Sequence, residues 1–184
     1  MELRDRLLQN AKAQVAASEA LSMGNEIGAV HFLGPTLLLL GFAVELFEKV
    51  VLLDRGTPSE ALPKKPFGHD LWSMWQRSEL SEQRQQAELL VIACSQDLDE
   101  SYFHPQDLEP TDPGFVPNLV RNVPKAEELE SQLRWLSQLH TSATGYALRY
   151  PVENKQVPEP MLLICVFDRL IRNYECCSTF QEVL

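Results

Sequence analysis

Apolar residues recur at intervals of three and four along most of the chain, and alternation at period two is hard to find. This spacing places apolar side chains on one face of a helix, so the sequence predicts a single all-α domain over residues 1–184. Turn-forming Gly and Pro residues separate the predicted helices. The helices are expected over about residues 2–23, 35–55, 70–77, 81–98, 125–148 and 160–176.

Apolar stripes mark the inner faces that we expect for four of these helices. They comprise Leu3, Leu7, Ala11 and Val15 in the first helix, Leu89, Leu90, Ile92 and Ala93 in the fourth, Leu129, Leu133, Leu136 and His140 in the fifth, and Leu162, Leu163, Val166, Phe167, Leu170 and Ile171 in the last.

The second predicted helix contains the most apolar run of the chain. Eighteen residues between Glu26 and Glu45 carry no formal charge, which approaches the length of a membrane span. Gly34 and Pro35 interrupt this run, and no cluster of Lys or Arg flanks it. We therefore expect the buried central helix of a bundle, with no membrane contact, beginning near Pro35 because proline suits a first helical turn.

The net charge of −10, from 26 acids against 16 Lys and Arg, argues against a protein that grips a polyanion over a broad surface. A net negative charge is still compatible with small local patches of cationic residues. The four cysteines form no CxxC pair and no zinc-ligand spacing, and no secretory signal is visible at the amino terminus. The sequence thus predicts a cytoplasmic protein with reduced thiols, no bound metal and no cofactor.

Residues 99–125 differ in composition from the rest of the chain. Five of the twelve prolines lie between His104 and Pro124, and acids outnumber bases in the surrounding sequence. We expect a long, Pro-rich, acidic, exposed loop, which serves either as a connector or as an acidic interaction arm.

Two short motifs carry a family resemblance. The apolar second helix contains Glu45-Leu46-Phe47-Glu48-Lys49, and a turn-rich linker then leads to Gly68-His69-Asp70-Leu71. This arrangement resembles the HEPN superfamily, the higher-eukaryote and prokaryote nucleotide-binding domains, over residues 30–78 and less closely over 126–175. The resemblance implies a compact antiparallel bundle, often a homodimer, that binds or cuts RNA or nucleotides in toxin–antitoxin, phage-defence or stress systems.

The ribonuclease branch of that superfamily carries Arg, four to six residues and then His, a spacing that Arg134 and His140 match. Trp135 departs from the small polar residue usual after the arginine. Such a pair would act without metal: the imidazole takes the proton of a 2′-hydroxyl while the guanidinium steadies the phosphate. On an ideal helix the two side chains lie about 120° apart, so they would cooperate only across a dimer cleft or a distorted turn. A histidine on the core stripe is more typical of a structural role.

A second candidate site lies at the start of the third helix. His69, with Lys64 and Lys65 before it, could hold a phosphate, because free backbone N–H groups at a helix N-terminus favour an anion. In the structural alternative, Gly68 allows the turn and Asp70 is the N-cap of the helix. His69 then forms a hydrogen bond with the end of a neighbouring helix.

Glu45 and Lys49 are one helical turn apart on an otherwise apolar helix. If buried, these charges need partners, and Arg149 or Arg77 would serve. A structural ion-pair network is therefore the main interpretation, with Glu45 as a catalytic carboxylate the alternative. Arg149 is also a candidate for a local cationic ligand-binding patch.

Three functions remain open at this point. The first is a HEPN-like protein that binds RNA, a nucleotide or a protein partner. The second is a metal-independent endoribonuclease using Arg134 and His140, and the third is a purely protein-binding bundle.

Overall fold

Six α-helices and one 3₁₀ turn make up the computed structural model, in which residues 2–23, 29–64, 67–102, 126–140 and 158–181 are described. These residues contain no β-strand, so the predicted all-α class is confirmed. The elements are α1 (Leu3–Met23), α2 (Ala29–Asp54), α3 (Leu71–Trp75), the 3₁₀ turn (Ser78–Leu80), α4 (Ser81–Tyr102), α5 (Ala126–His140) and α6 (Pro160–Gln181).

Helix α2 lies at the centre of the bundle, because it packs against α1, α3, α5 and α6. A helix in this position must be apolar on most sides, which explains its unusual sequence. The expectation of a buried central helix is thus confirmed, and none of the helices in the described part of the chain combines the length and apolar character that crossing a membrane requires. The fully buried apolar residues of α2 are Leu37, Leu40, Ala43, Val44, Phe47, Val50, Val51 and Leu52.

The predicted start of α2 at Pro35 was wrong, because the helix begins at Ala29 and contains Pro35. An internal proline removes one helical hydrogen bond and costs about 3 kcal/mol. Close to this proline, α2 is joined to α1 by the Ser18 hydroxyl, which donates to the carbonyl of Thr36 at 3.2 Å.

The inner face of α1 agrees with the predicted stripe at Ala11 and Val15, and Leu7 packs partly buried against the core. Leu8, Ala11, Val15 and Ser18 are buried, whereas Leu3 is exposed at the end of the helix. Three of these four side chains are small, which lets α1 lie close along α2.

Helix α3 is shorter than the sequence predicted, although Leu71, Met74 and Trp75 are buried as expected. Arg77 is extended and therefore ends the helical course before the 3₁₀ turn. The Arg84 guanidinium donates hydrogen bonds to the backbone carbonyls of Trp75 and Arg77, near the end of this short helix.

The predicted inner face of α4 was wrong in part. Leu89 and Ile92 are 72% and 50% exposed, and the buried stripe instead runs through Ala87, Val91 and Cys94. The helix also continues to Tyr102, so the loop prediction was wrong over 99–102, because acidic residues alone do not end a helix that lacks Gly or Pro. Residues 103–125, the remainder of that loop, lie outside the described residues.

The last two helices match their predicted faces. Leu129, Leu133, Leu136 and His140 of α5 are buried, as are all six apolar residues predicted for α6. The predicted continuation of α5 over 141–148 lies outside the described residues. Helix α6 begins at Pro160, as predicted, and ends at Gln181, five residues beyond the predicted end.

We predict that Phe47→Ala lowers the free energy of unfolding by about 3–5 kcal/mol, since the ring is fully buried and packs edge-on against Phe167 and Tyr174. Met23→Ala, at an exposed position at the end of α1, should change it by no more than about 0.5 kcal/mol. Urea unfolding monitored by circular dichroism measures both values. Equal losses in the two variants would contradict the assignment of the core.

Candidate functional site

The carboxylate of Glu45 is buried in the middle of α2, where it needs partners to remain charged. Lys49, one turn further along the helix, donates to Oε1 at 2.6 Å. Both side chains are almost completely covered. The predicted Glu45–Lys49 pair is therefore a buried structural contact.

Two histidines share the other oxygen of the same carboxylate. Nδ1 of His69, just before α3, and Nε2 of His140, the last residue of α5, each lie 2.9 Å from Oε2 of Glu45. Each contact is a hydrogen bond to the carboxylate when the ring proton resides on that nitrogen. We call Glu45, Lys49, His69 and His140 the histidine–glutamate cluster.

The cluster determines the charge of Glu45. Burial alone would raise the pKa of its carboxyl group, but hydrogen bonds from His140, His69 and Lys49 outweigh burial and lower the pKa to about 2. Glu45 is consequently ionised near neutral pH. The carboxylate joins α2 to the start of α3 and to the end of α5.

His140 is enclosed by the bundle and is only 1% exposed. Its ring lies directly over Gly41, where an added Cβ would approach Nδ1 to 2.5 Å, and the edge of Phe42 packs against it. Nδ1 has no hydrogen-bond partner. A glycine at position 41 is thus required for His140 to reach Glu45.

Arg134 has a different environment from its proposed catalytic partner. It is exposed, and its guanidinium lies over the ring of Trp72 at 4.5 Å. His140 is instead directed toward Glu45 and His69. The arrangement that brings His140 into the cluster therefore differs from the Arg–His pairing that the sequence suggested.

Asp70 caps α3, as predicted, by accepting hydrogen bonds from the backbone N–H of Ser73 at 3.0 Å and from its hydroxyl at 2.7 Å. Ser137 extends this cap to α5, because its hydroxyl donates to Asp70 at 3.4 Å and accepts from the N–H of Trp72 at 3.0 Å. Sequence reasoning did not identify Ser137, although it lies one turn before His140.

The remaining predicted residues have mixed outcomes. The prediction that His69 bonds a helix end was wrong, because its partner Glu45 lies in the middle of α2. Arg77, predicted as an ion-pair partner of Glu45, instead forms an ion pair with Glu79 at 2.6 Å. Lys64 is exposed and Gly68 lies in a bend, whereas Lys65 and Arg149 lie outside the described residues.

Sequence reasoning also missed Glu48, which is fully buried within the same helical motif. Neither carboxyl oxygen has a hydrogen-bond partner. Burial raises its pKa well above the ordinary value, and the negative charges of Glu45 and Asp70 raise it further. Glu48 therefore keeps its proton to a higher pH than an ordinary carboxyl group does, whereas Glu45 loses its proton at a lower pH. An acidic residue in an otherwise apolar helix was the sequence feature that could have identified Glu48 as unusual.

Comparison of this chain with protein-family models, with curated proteins and with solved structures gives no match.

We predict that Gly41→Ala lowers the free energy of unfolding by about 1–2 kcal/mol. The new methyl group must displace the enclosed His140 ring, and this overpacking outweighs the gain of about 1 kcal/mol from better helix propensity. Gly68→Ala is the matched control, since a Cβ there meets no atom within 4 Å. Thermal and urea unfolding provide the measurement; a stabilised Gly41→Ala variant would contradict the close approach.

We predict that Glu48→Gln stabilises the protein relative to the wild type, and that this gain grows as pH rises above the ordinary carboxyl pKa. Folding raises the pKa of Glu48, so the wild type loses stability as pH increases through that range. Glutamine does not titrate, and the difference should vanish near pH 4. Urea unfolding between pH 4 and 8 tests this, with Glu88→Gln on the exposed face of α4 as control. A difference independent of pH would refute it.

Proposed function

We propose that this chain is a HEPN-like protein that acts by binding and does not cut RNA. The observation that carries the proposal is the position of His140, which is enclosed and has its Nε2 bonded to Glu45. A general base must reach the hydroxyl that it deprotonates within hydrogen-bond distance. To do so here, the bundle would have to open between α2 and α5.

The proposed ligand is single-stranded RNA or a nucleotide, and its binding surface is the Trp72–Arg134 pair. The exposed guanidinium stacked on a half-buried indole offers a flat surface for a base and a cation for a phosphate. His69 precedes the same short helix and is 51% exposed. Because the chain carries a net charge of −10, we expect a small local footprint.

The biological setting that accompanies this proposal is a cytoplasmic toxin–antitoxin, phage-defence or stress system, with the chain as a homodimer. It derives from the HEPN resemblance of the Glu45–Lys49 and Gly68–Leu71 motifs.

Protein binding is the second candidate function. It is favoured by Leu89 and Ile92, which lie three residues apart on the outer face of α4 and are largely exposed. A second copy of this chain suits such a face, because a twofold interface uses one patch twice. The measurement is the mass in solution, which Leu89→Asp should reduce from dimer to monomer.

We predict that labelled single-stranded RNA, incubated with the wild type in chelator, stays intact and is bound. Arg134→Ala should weaken binding about tenfold through the loss of one stacking partner. Arg172→Ala is the matched control, because it removes the same charge from an exposed pair with Asp168 on α6. Electrophoretic mobility shift and fluorescence anisotropy measure both affinities.

Two results would overturn the proposal. Cleavage by the wild type that His140→Ala abolishes would establish the ribonuclease alternative. An RNA affinity that is unmeasurable at low salt, together with a Leu89-dependent dimer, would establish the protein-binding alternative.

A further inference from the structure

The histidine–glutamate cluster contains the donor atoms of a metal site. Oε2 of Glu45, Nδ1 of His69 and Nε2 of His140 all lie within 4.8 Å of one another. Two imidazole nitrogens and one carboxylate oxygen form a ligand set that binds zinc and other first-row divalent metals. We propose that Glu45, His69 and His140 together bind one divalent transition-metal ion, for which Zn²⁺ is the model ion.

The three donors are already close to the separations that such an ion requires. Each nitrogen is 2.9 Å from the shared oxygen. Bonds of about 2.0–2.1 Å in a tetrahedral site place neighbouring ligand atoms roughly 3.4 Å apart. The two nitrogen–oxygen separations must widen by about half an ångström, and the two histidine nitrogens, which lie within 4.8 Å of each other, must adopt the same spacing. His69 lies in the bend before α3 and has the freedom to make this shift.

The two buried donors and the one accessible donor define an entry route. Glu45 and His140 are enclosed, whereas the side chain of His69 is 51% exposed. An ion therefore reaches the cluster from the side of His69. A zinc site with three protein ligands takes water as its fourth, and water would arrive from the side of His69 as well.

The charge around the cluster favours a cation. Glu45 is itself an acidic ligand, and Asp70 directly follows the ligand His69 in the chain. Lys49 supplies one positive charge against these groups. A divalent ion compensates the excess negative charge.

Metal binding requires each imidazole in its neutral form, with a lone pair on the coordinating nitrogen. The proton on the coordinating nitrogen moves to the other nitrogen of the same ring, and the freed lone pair binds the metal. In His140 that second nitrogen, Nδ1, has no hydrogen-bond partner. We therefore expect weaker binding than in sites whose histidines have an outer hydrogen bond, which is worth about 10–100-fold in affinity.

The test uses the untagged full chain, stripped with chelator and then titrated with Zn²⁺ or Co²⁺ at neutral pH. We expect one ion per chain by calorimetry, visible absorption from bound Co²⁺, and a higher unfolding temperature in Zn²⁺. His69→Ala should weaken binding by more than about tenfold, since it removes a ligand and not merely an outer partner. His104→Ala, which removes a histidine outside the ligand set, should leave binding unchanged.

Two results would overturn the proposal: no saturable binding to the wild type, or equal binding to the wild type and His69→Ala. The exposed position of His69 makes its variant the decisive one, and its circular dichroism should match that of the wild type. Glu45→Gln and His140→Gln add a second readout if they fold. The assay contains no RNA, so its outcome is independent of the proposed function.

Discussion

A carboxylate held inside an apolar helix is the constraint on which this structure depends. Glu45 is buried on α2, and an unpaired charge there would cost several kcal/mol. Lys49 occupies one oxygen, and His69 and His140 share the other. Because the histidines come from different elements, satisfying one charge also determines where α3 and α5 lie on α2.

Several local features follow from this arrangement. Helix α3 has only five residues and is too short to be stable alone, so it relies on the bond at His69, the Asp70 cap and the buried Trp75. Gly41 provides the space for the His140 ring. Polar groups thus specify one docking of α3 and α5 on an otherwise uniform apolar surface.

The two proposed sites use different faces of α5, since His140 is buried and Arg134 is exposed. Toward the interior, His140 and Glu45 face His69, where a metal ion would replace two hydrogen bonds. Toward solvent, Arg134 lies on Trp72, where RNA is proposed to bind. A histidine that hydrogen-bonds a buried carboxylate stabilises the bundle, and this role differs from that of an imidazole that acts on a substrate.

The amino-acid sequence by itself determined the helical class, the central position of α2, the inner faces of α5 and α6, and the Asp70 cap, because these depend on periodicity and on neighbours within one turn. It placed Glu45, His69 and His140 in three separate hypotheses. Glu45 lies 24 residues from His69 and 95 from His140, and no local pattern encodes such distances. Only the packing of three elements decided that these side chains meet, that Leu89 faces outward, and that Glu48 has no partner.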